Sequence, residues 1–184
     1  LAEWKTKYEE IDAQLSDVNK KIEEYKKTIE DNEAGVELID KELKESNILV
    51  GKTDVYGEGV VVTLNDGEYQ IEAEDLIDLI NELRYAGAEA IAINEIRVLA
   101  TTDIIDMGDY SNSYIMVNTQ RIQGPYIVKA IGNKEYLSSI LNLKGSGFID
   151  RATTEQKKVS LTMENKVRIP KYNKELKIEY MTEN

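Results

Sequence analysis

The pattern Asn-x-x-Arg occurs twice in this chain, as Asn94…Arg97 and as Asn118…Arg121, each time after a β-rich run. Asparagine forms turns and tolerates a left-handed backbone. A guanidinium presents a rigid fork of donors that matches a carboxylate or a phosphate. With Glu89 added, the candidate ligand site is Glu89, Asn94, Arg97, Asn118 and Arg121, its two arginines clamping an anion at one sheet edge. The competing reading is structural: each Asn turns a hairpin, and each Arg pairs with a local acid such as Glu89 or Glu95.

Other chemistry is narrowed by what is missing. None of the 184 residues is His or Cys, which removes imidazole bases, thiolate nucleophiles, disulfides and the commonest zinc ligands. No Ser-x-x-Lys string occurs to replace a Ser–His pair. Asp103, Asp106 and Asp109 are spaced by three around Gly108, unlike the alternating ligands of a calcium-binding EF-hand loop, and read as a solvated loop. Gly57-x-Gly59 lacks the third glycine and the helix of a dinucleotide fingerprint and reads as a loop before a strand. No catalytic residue, metal site or cofactor is expected, and the chain is read as a non-enzyme.

With 23 Lys+Arg against 35 Asp+Glu, the formal charge is −12, and no basic cluster offers a footing for a phosphate backbone. Nucleic acid is therefore not an expected partner. The charge is unevenly placed. Residues 1–46 carry eight lysines and fourteen acids, so about half of the excess lies on the first quarter of the chain.

That quarter has a repeat of its own. Trp4, Tyr8, Ile11, Leu15, Val18, Ile22, Tyr25, Ile29, Asn32, Val36, Ile39 and Leu43 alternate at steps of three and four, with Lys and Glu on the other faces. A 3.5-residue repeat held this long predicts a coiled coil over residues 1–46, rather than an amphipathic helix lying along its own domain. As one continuous rod it would be about 65–70 Å long. The seam residues are then the homo-oligomerisation surface, with the number of strands left open.

Residues 47–184 read as a single α+β domain. Val60–Leu64 is a β-rich run closed by Asn65-Asp66-Gly67. Glu74–Ala86 carries Leu76, Leu79, Ile80 and Leu83 on one helical face and stops at Gly87. A buried strand follows at Ala90–Ile93, running on toward Val98, and a hairpin turns at Asn118-Thr119. Tyr126–Ile131 is a strand, Asn133 caps a helix, and Val159–Met163 is the last strand. With residues 99–124 set aside as an insertion, the order is βαββαβ, a ferredoxin-like plait carrying a hairpin insertion and preceded by the long helix.

The run Leu79-Ile80-Asn81-Glu82-Leu83-Arg84-Tyr85-Ala86-Gly87-Ala88-Glu89-Ala90-Ile91-Ala92-Ile93-Asn94, with Arg97, Ile115–Asn118, Arg121-Ile122, Pro125–Ile127 and Lys129–Gly132, resembles the bacterial family known as domain of unknown function 881. Its members are often called division initiation proteins. The likeness covers roughly residues 48–172. It implies a transmembrane helix, then a coiled coil, then this domain on the outer side of the cytoplasmic membrane, mainly in Gram-positive bacteria. A first residue Leu1 rather than Met fits an anchor lying upstream of the sequence. Two departures concern turns: the family usually has Asn-Gly at Asn118-Thr119 and Gly-Gln at Glu95-Ile96.

The expected function is that of a non-enzymatic cell-envelope protein. A coiled coil makes it a homo-oligomer and presents the α/β domain to an unidentified envelope or division protein, with membrane contact only through the upstream anchor. The second class is a small-molecule or anion-sensing module built on Arg97 and Arg121.

Overall fold

Among the described residues two long strands, of 11 and 12 residues, and several short ones alternate with helices, and the order in which they alternate sets the architecture. The computed structural model describes residues 2–28, 33–109 and 112–174. The chain runs α1 (Ala2–Thr28), α2 (Glu33–Leu49), β1 (Val55–Asn65), α3 (Ala73–Tyr85), β2 (Ala90–Ile93), β3 (Ile96–Val98) and β4 (Ile104–Met107). It continues with β5 (Tyr114–Val117), β6 (Gln120–Ile122), β7 (Tyr126–Ile131), α4 (Lys134–Leu141), α5 (Phe148–Thr154) and β8 (Lys158–Ile169). This is a mixed α+β fold.

The first quarter is not one continuous rod. Ile22 and Ile39 are both buried, at 6% and 7% exposure, although on a single helix they would lie about 25 Å apart. One groove is lined by Ile11, Leu15 and Val18 of α1 together with Glu42, Ser46 and Leu49 of α2. Low numbers on α1 meet high numbers on α2, so the two helices are antiparallel. The apolar stripe that would close between copies is partly closed within the chain, because a three-and-four repeat suits an antiparallel pair as well as a rod. Of the seam residues, Ile29 and Asn32 lie outside the described residues, as do the side chains of Trp4 and Tyr8.

The main sheet has the order β3-β2-β7-β1-β8, with every neighbouring pair antiparallel. Val60, Val62 and Leu64 of β1, Ile91 and Ile93 of β2, and Val128 and Ala130 of β7 point to one face. There they meet Leu76, Leu79 and Leu83 of α3, Leu137 and Leu141 of α4, and Phe148 and Ala152 of α5 in one cluster. The inserted strands form a second sheet, β4-β5-β6. Its Ile115, Val117 and Ile122 join the same core, while Ile105, Met107 and Arg121 are exposed.

The other face of the main sheet carries a smaller cluster of Ala90, Ala92, Ile131, Val167 and Ile169. It is covered by the sheet's own ribbon. Arg168 of β8 stands 3.6 Å from Glu95, although β8 is three places from β2 in the strand order, roughly 14 Å in a flat sheet. The β1–β8 ribbon therefore curls over. It bends where the register shifts between Gly57 and Gly59, and a Cβ on Gly59 would lie 1.9 Å from the Ala130 carbonyl oxygen. The two glycines thus lie inside a bulged strand and not in a loop before one. Likewise β2 does not run on to Val98: Asn94 and Glu95, at φ 43° and 65°, turn it back as β3.

Candidate functional site

Both asparagines of the repeated motif take a left-handed backbone at a hairpin turn, Asn94 at φ 43° and Asn118 at φ 48°. Each grips a single residue of a neighbouring segment from both sides. Ile127 donates its N–H to Asn94 Oδ1 at 2.7 Å, and Asn94 donates its own N–H to the Ile127 carbonyl at 2.9 Å. Asp103 donates to Asn118 Oδ1 at 3.2 Å, and Asn118 N–H donates to the Asp103 carbonyl at 3.0 Å. Asn94 also sends Nδ2 to the carbonyls of Gln123 and Pro125, at 3.3 and 3.4 Å. Each asparagine completes the pairing of a strand end whose backbone groups would otherwise lack partners.

The two arginines go to different places. Arg97 pairs with Ala92 across β2–β3 and is buried, at 5% exposure. It lies beneath the link between α2 and β1: the position a Cβ would take on Gly51 is 3.7 Å from Arg97 Cγ and 3.8 Å from its Nε. Burial lowers the pKa of its guanidinium from the ordinary value. Arg121 is exposed on the outward face of the inserted sheet, its Cζ 4.1 Å above the Tyr114 ring, a cation–π contact. No hydrogen bond or ion pair among the described residues joins the two, and neither arginine has an acid partner there. Glu89 is exposed at the opposite end of β2 from Asn94; its N–H donates to the Ile131 carbonyl at 2.9 Å. The five candidates are thus not assembled around a common point.

Other polar residues have roles that spacing did not signal. Glu82 accepts the Phe148 N–H at 2.8 Å and faces Arg151 Nη1 at 3.1 Å, tying α3 to the start of α5. Asp106 belongs to a strand, not a solvated loop, and its carboxylate accepts the Ala73 N–H at 3.0 Å, closing the first turn of α3. Lys174 Nζ reaches the Asn118 carbonyl and Thr119 Oγ1, and Tyr172 donates its N–H to the Gly51 carbonyl at 2.7 Å. Residues 170–174 are thus a strap leading from β8 past Arg97 to the second hairpin. Lys174 has no sequence signature because its partner is a turn 55 residues away. Among the described residues no group of three or more acids is placed to hold a metal ion.

Residues 42–182 match a family model described as "Bacterial protein of unknown function (DUF881)". The UPF0749 protein Rv1825 of Mycobacterium tuberculosis (strain ATCC 25618 / H37Rv) is 31% identical over 139 residues, which cover 73% of this chain and 46% of that protein. The UPF0749 protein YlxW of Bacillus subtilis (strain 168) is 32% identical over 130 residues, 65% of this chain and 54% of that protein. The chain thus spans about half the length of these curated relatives. A crystal structure of an uncharacterized conserved protein from Mycobacterium tuberculosis is similar, with a TM-score of 0.64 at 30% identity, covering 77% of this chain and 99% of that one.

Proposed function

The chain belongs to the bacterial DUF881 family, and from that premise we propose that it is a non-enzymatic envelope protein that self-associates through α1 and α2. In this reading its α/β domain, a ferredoxin-like plait with an inserted three-stranded sheet, is presented to a protein partner in division or envelope assembly. Its place is the outer side of the cytoplasmic membrane, held by an anchor outside this sequence. No helix among the described residues is long and apolar enough to cross a membrane.

The observation that carries self-association is the α1–α2 groove, about 430 Å³. Ile11, Leu15, Val18, Leu49 and Val50 line it, yet Ile11 remains 46% and Leu49 75% exposed. Two helices have no second layer to cover such a strip, whereas four do. A second copy is the occupant that fits. It brings the same apolar strip; Lys21 on the groove's rim is already paired with Asp17 at 2.8 Å, so the apolar strip and not charge drives a two-fold pairing. The test is the molar mass of wild type and Ile11→Glu by light scattering. The wild type is expected at twice 20.9 kDa or more and the variant nearer the single mass; equal masses would remove the reading.

A further inference from the structure

Among the described residues, three buried side-chain atoms have no hydrogen-bond partner: Thr53 Oγ1, Arg97 Nη1 and Asn118 Nδ2. Thr53 stands two residues from Gly51, the residue packed on the Arg97 side chain. The strap that binds Gly51 through Tyr172 ends with Lys174 on Asn118. Two of the three atoms are N–H donors, and the third is a hydroxyl that can donate.

Asp54 and Glu95 are engaged elsewhere. The Asp54 carboxylate takes Arg168 Nη2 at 2.7 Å and the Lys171 N–H at 2.8 Å. Glu95 is paired with Lys129 and lies 3.6 Å from Arg168. An arginine that is 95% covered and has no carboxylate partner among the described residues is costly to keep unless something supplies the acceptor.

We propose that Arg97 and Thr53 form a binding site for a small oxyanion, a carboxylate or phosphate group, beneath the 170–174 strap, with Asn118 and Lys174 at its outer end. The bound group accepts from the guanidinium and the hydroxyl together, the arrangement that favours planar or tetrahedral oxyanions over chloride. The strap is the route of entry, because its ties to Gly51, Asp54 and Asn118 are individual hydrogen bonds rather than a packed layer. This site shares no named residue with the α1–α2 groove, whose lining ends at Val50, and its test does not depend on self-association.

The experiment is the melting temperature of the full chain in sodium phosphate, sodium acetate and sodium chloride at equal ionic strength. Wild type should melt about 3–5 °C higher in the preferred oxyanion than in chloride, and whether phosphate or acetate gives the larger rise identifies the group. General salting effects act on every variant alike. Arg97→Met should lose the specific rise and melt no lower than wild type in chloride, since it removes a buried charge without a partner. Thr53→Val should fold normally and retain only part of the rise, and Arg121→Ala should retain all of it. An equal melting temperature for wild type in all three salts would overturn the site, as would a full rise in Thr53→Val or Arg97→Met.

Discussion

Asn94 and Ile127 hold each other twice, by the 2.7 Å bond from the Ile127 N–H to Asn94 Oδ1 and the 2.9 Å bond from the Asn94 N–H to the Ile127 carbonyl. The same exchange joins Asn118 to Asp103. A motif that reads in sequence as a ligand clamp is, in its asparagine half, a device for ending strands.

Removing that device has a graded cost. Asn94→Ala leaves the Ile127 N–H without an acceptor and forfeits two further bonds, and should lower stability by about 2–3 kcal/mol. Asn118→Ala loses one side-chain bond, because its Nδ2 has no partner to forfeit, and should cost about 1–2 kcal/mol. Urea denaturation of both variants checks the order.

Thr119 takes φ 69°, an uncommon conformation for a β-branched residue. Its hydroxyl accepts from Lys174 at 2.7 Å, an exposed contact. Thr119→Gly should relieve more strain than it loses in bonding and raise stability by about 0.5–1 kcal/mol. The midpoint of denaturation would shift upward with an unchanged slope.

Lys157 is mostly buried. Burial disfavours its charge, but hydrogen bonds to Asp75 at 2.5 Å and Glu155 at 2.9 Å outweigh this and raise the ammonium pKa above 10.5. A raised folded-state pKa contributes stability that is fully present below the unfolded value and is lost as pH rises through the folded one. Stability should therefore fall from about pH 10.5 upward, and Lys157→Met should flatten that part of the profile while costing about 2 kcal/mol at pH 7.

Gly59 permits the close approach of β1 to β7, its neighbour in the sheet. In Gly59→Ala the new methyl would meet the Ala130 carbonyl oxygen at 1.9 Å, and the bulge that curls the β1–β8 ribbon would have to move. The expected loss is about 3 kcal/mol or more, seen as a lower melting temperature and faster amide exchange at Val167 and Ile169.

Local signals were readable in the sequence. The Leu76, Leu79, Ile80 and Leu83 stripe, the stop at Gly87, the Asn133 cap, with its side chain accepting from Tyr136 at 2.8 Å, and the Asn118-Thr119 hairpin all depend on residues close in the chain. What was not readable depends on distant partners. The α1 and α2 seams have one periodicity whether they close within a chain or between chains. Helix α5 is seven residues long and begins where Glu82, 66 positions earlier, accepts its first N–H. Arg97 is buried beside Gly51, 46 positions earlier, which Tyr172 in turn holds, and no spacing within Asn94–Arg97 encodes it.

Sedimentation velocity over a concentration series, on wild type and Leu49→Glu, tests self-association most directly. Leu49 is 75% exposed, so the substitution leaves the fold of one copy intact. The wild type should sediment as a dimer or larger species whose population rises with concentration, and Leu49→Glu should shift it toward a single 20.9 kDa chain. A wild type that stays monomeric at the highest concentration, or a Leu49→Glu chain that associates equally well, would contradict the account.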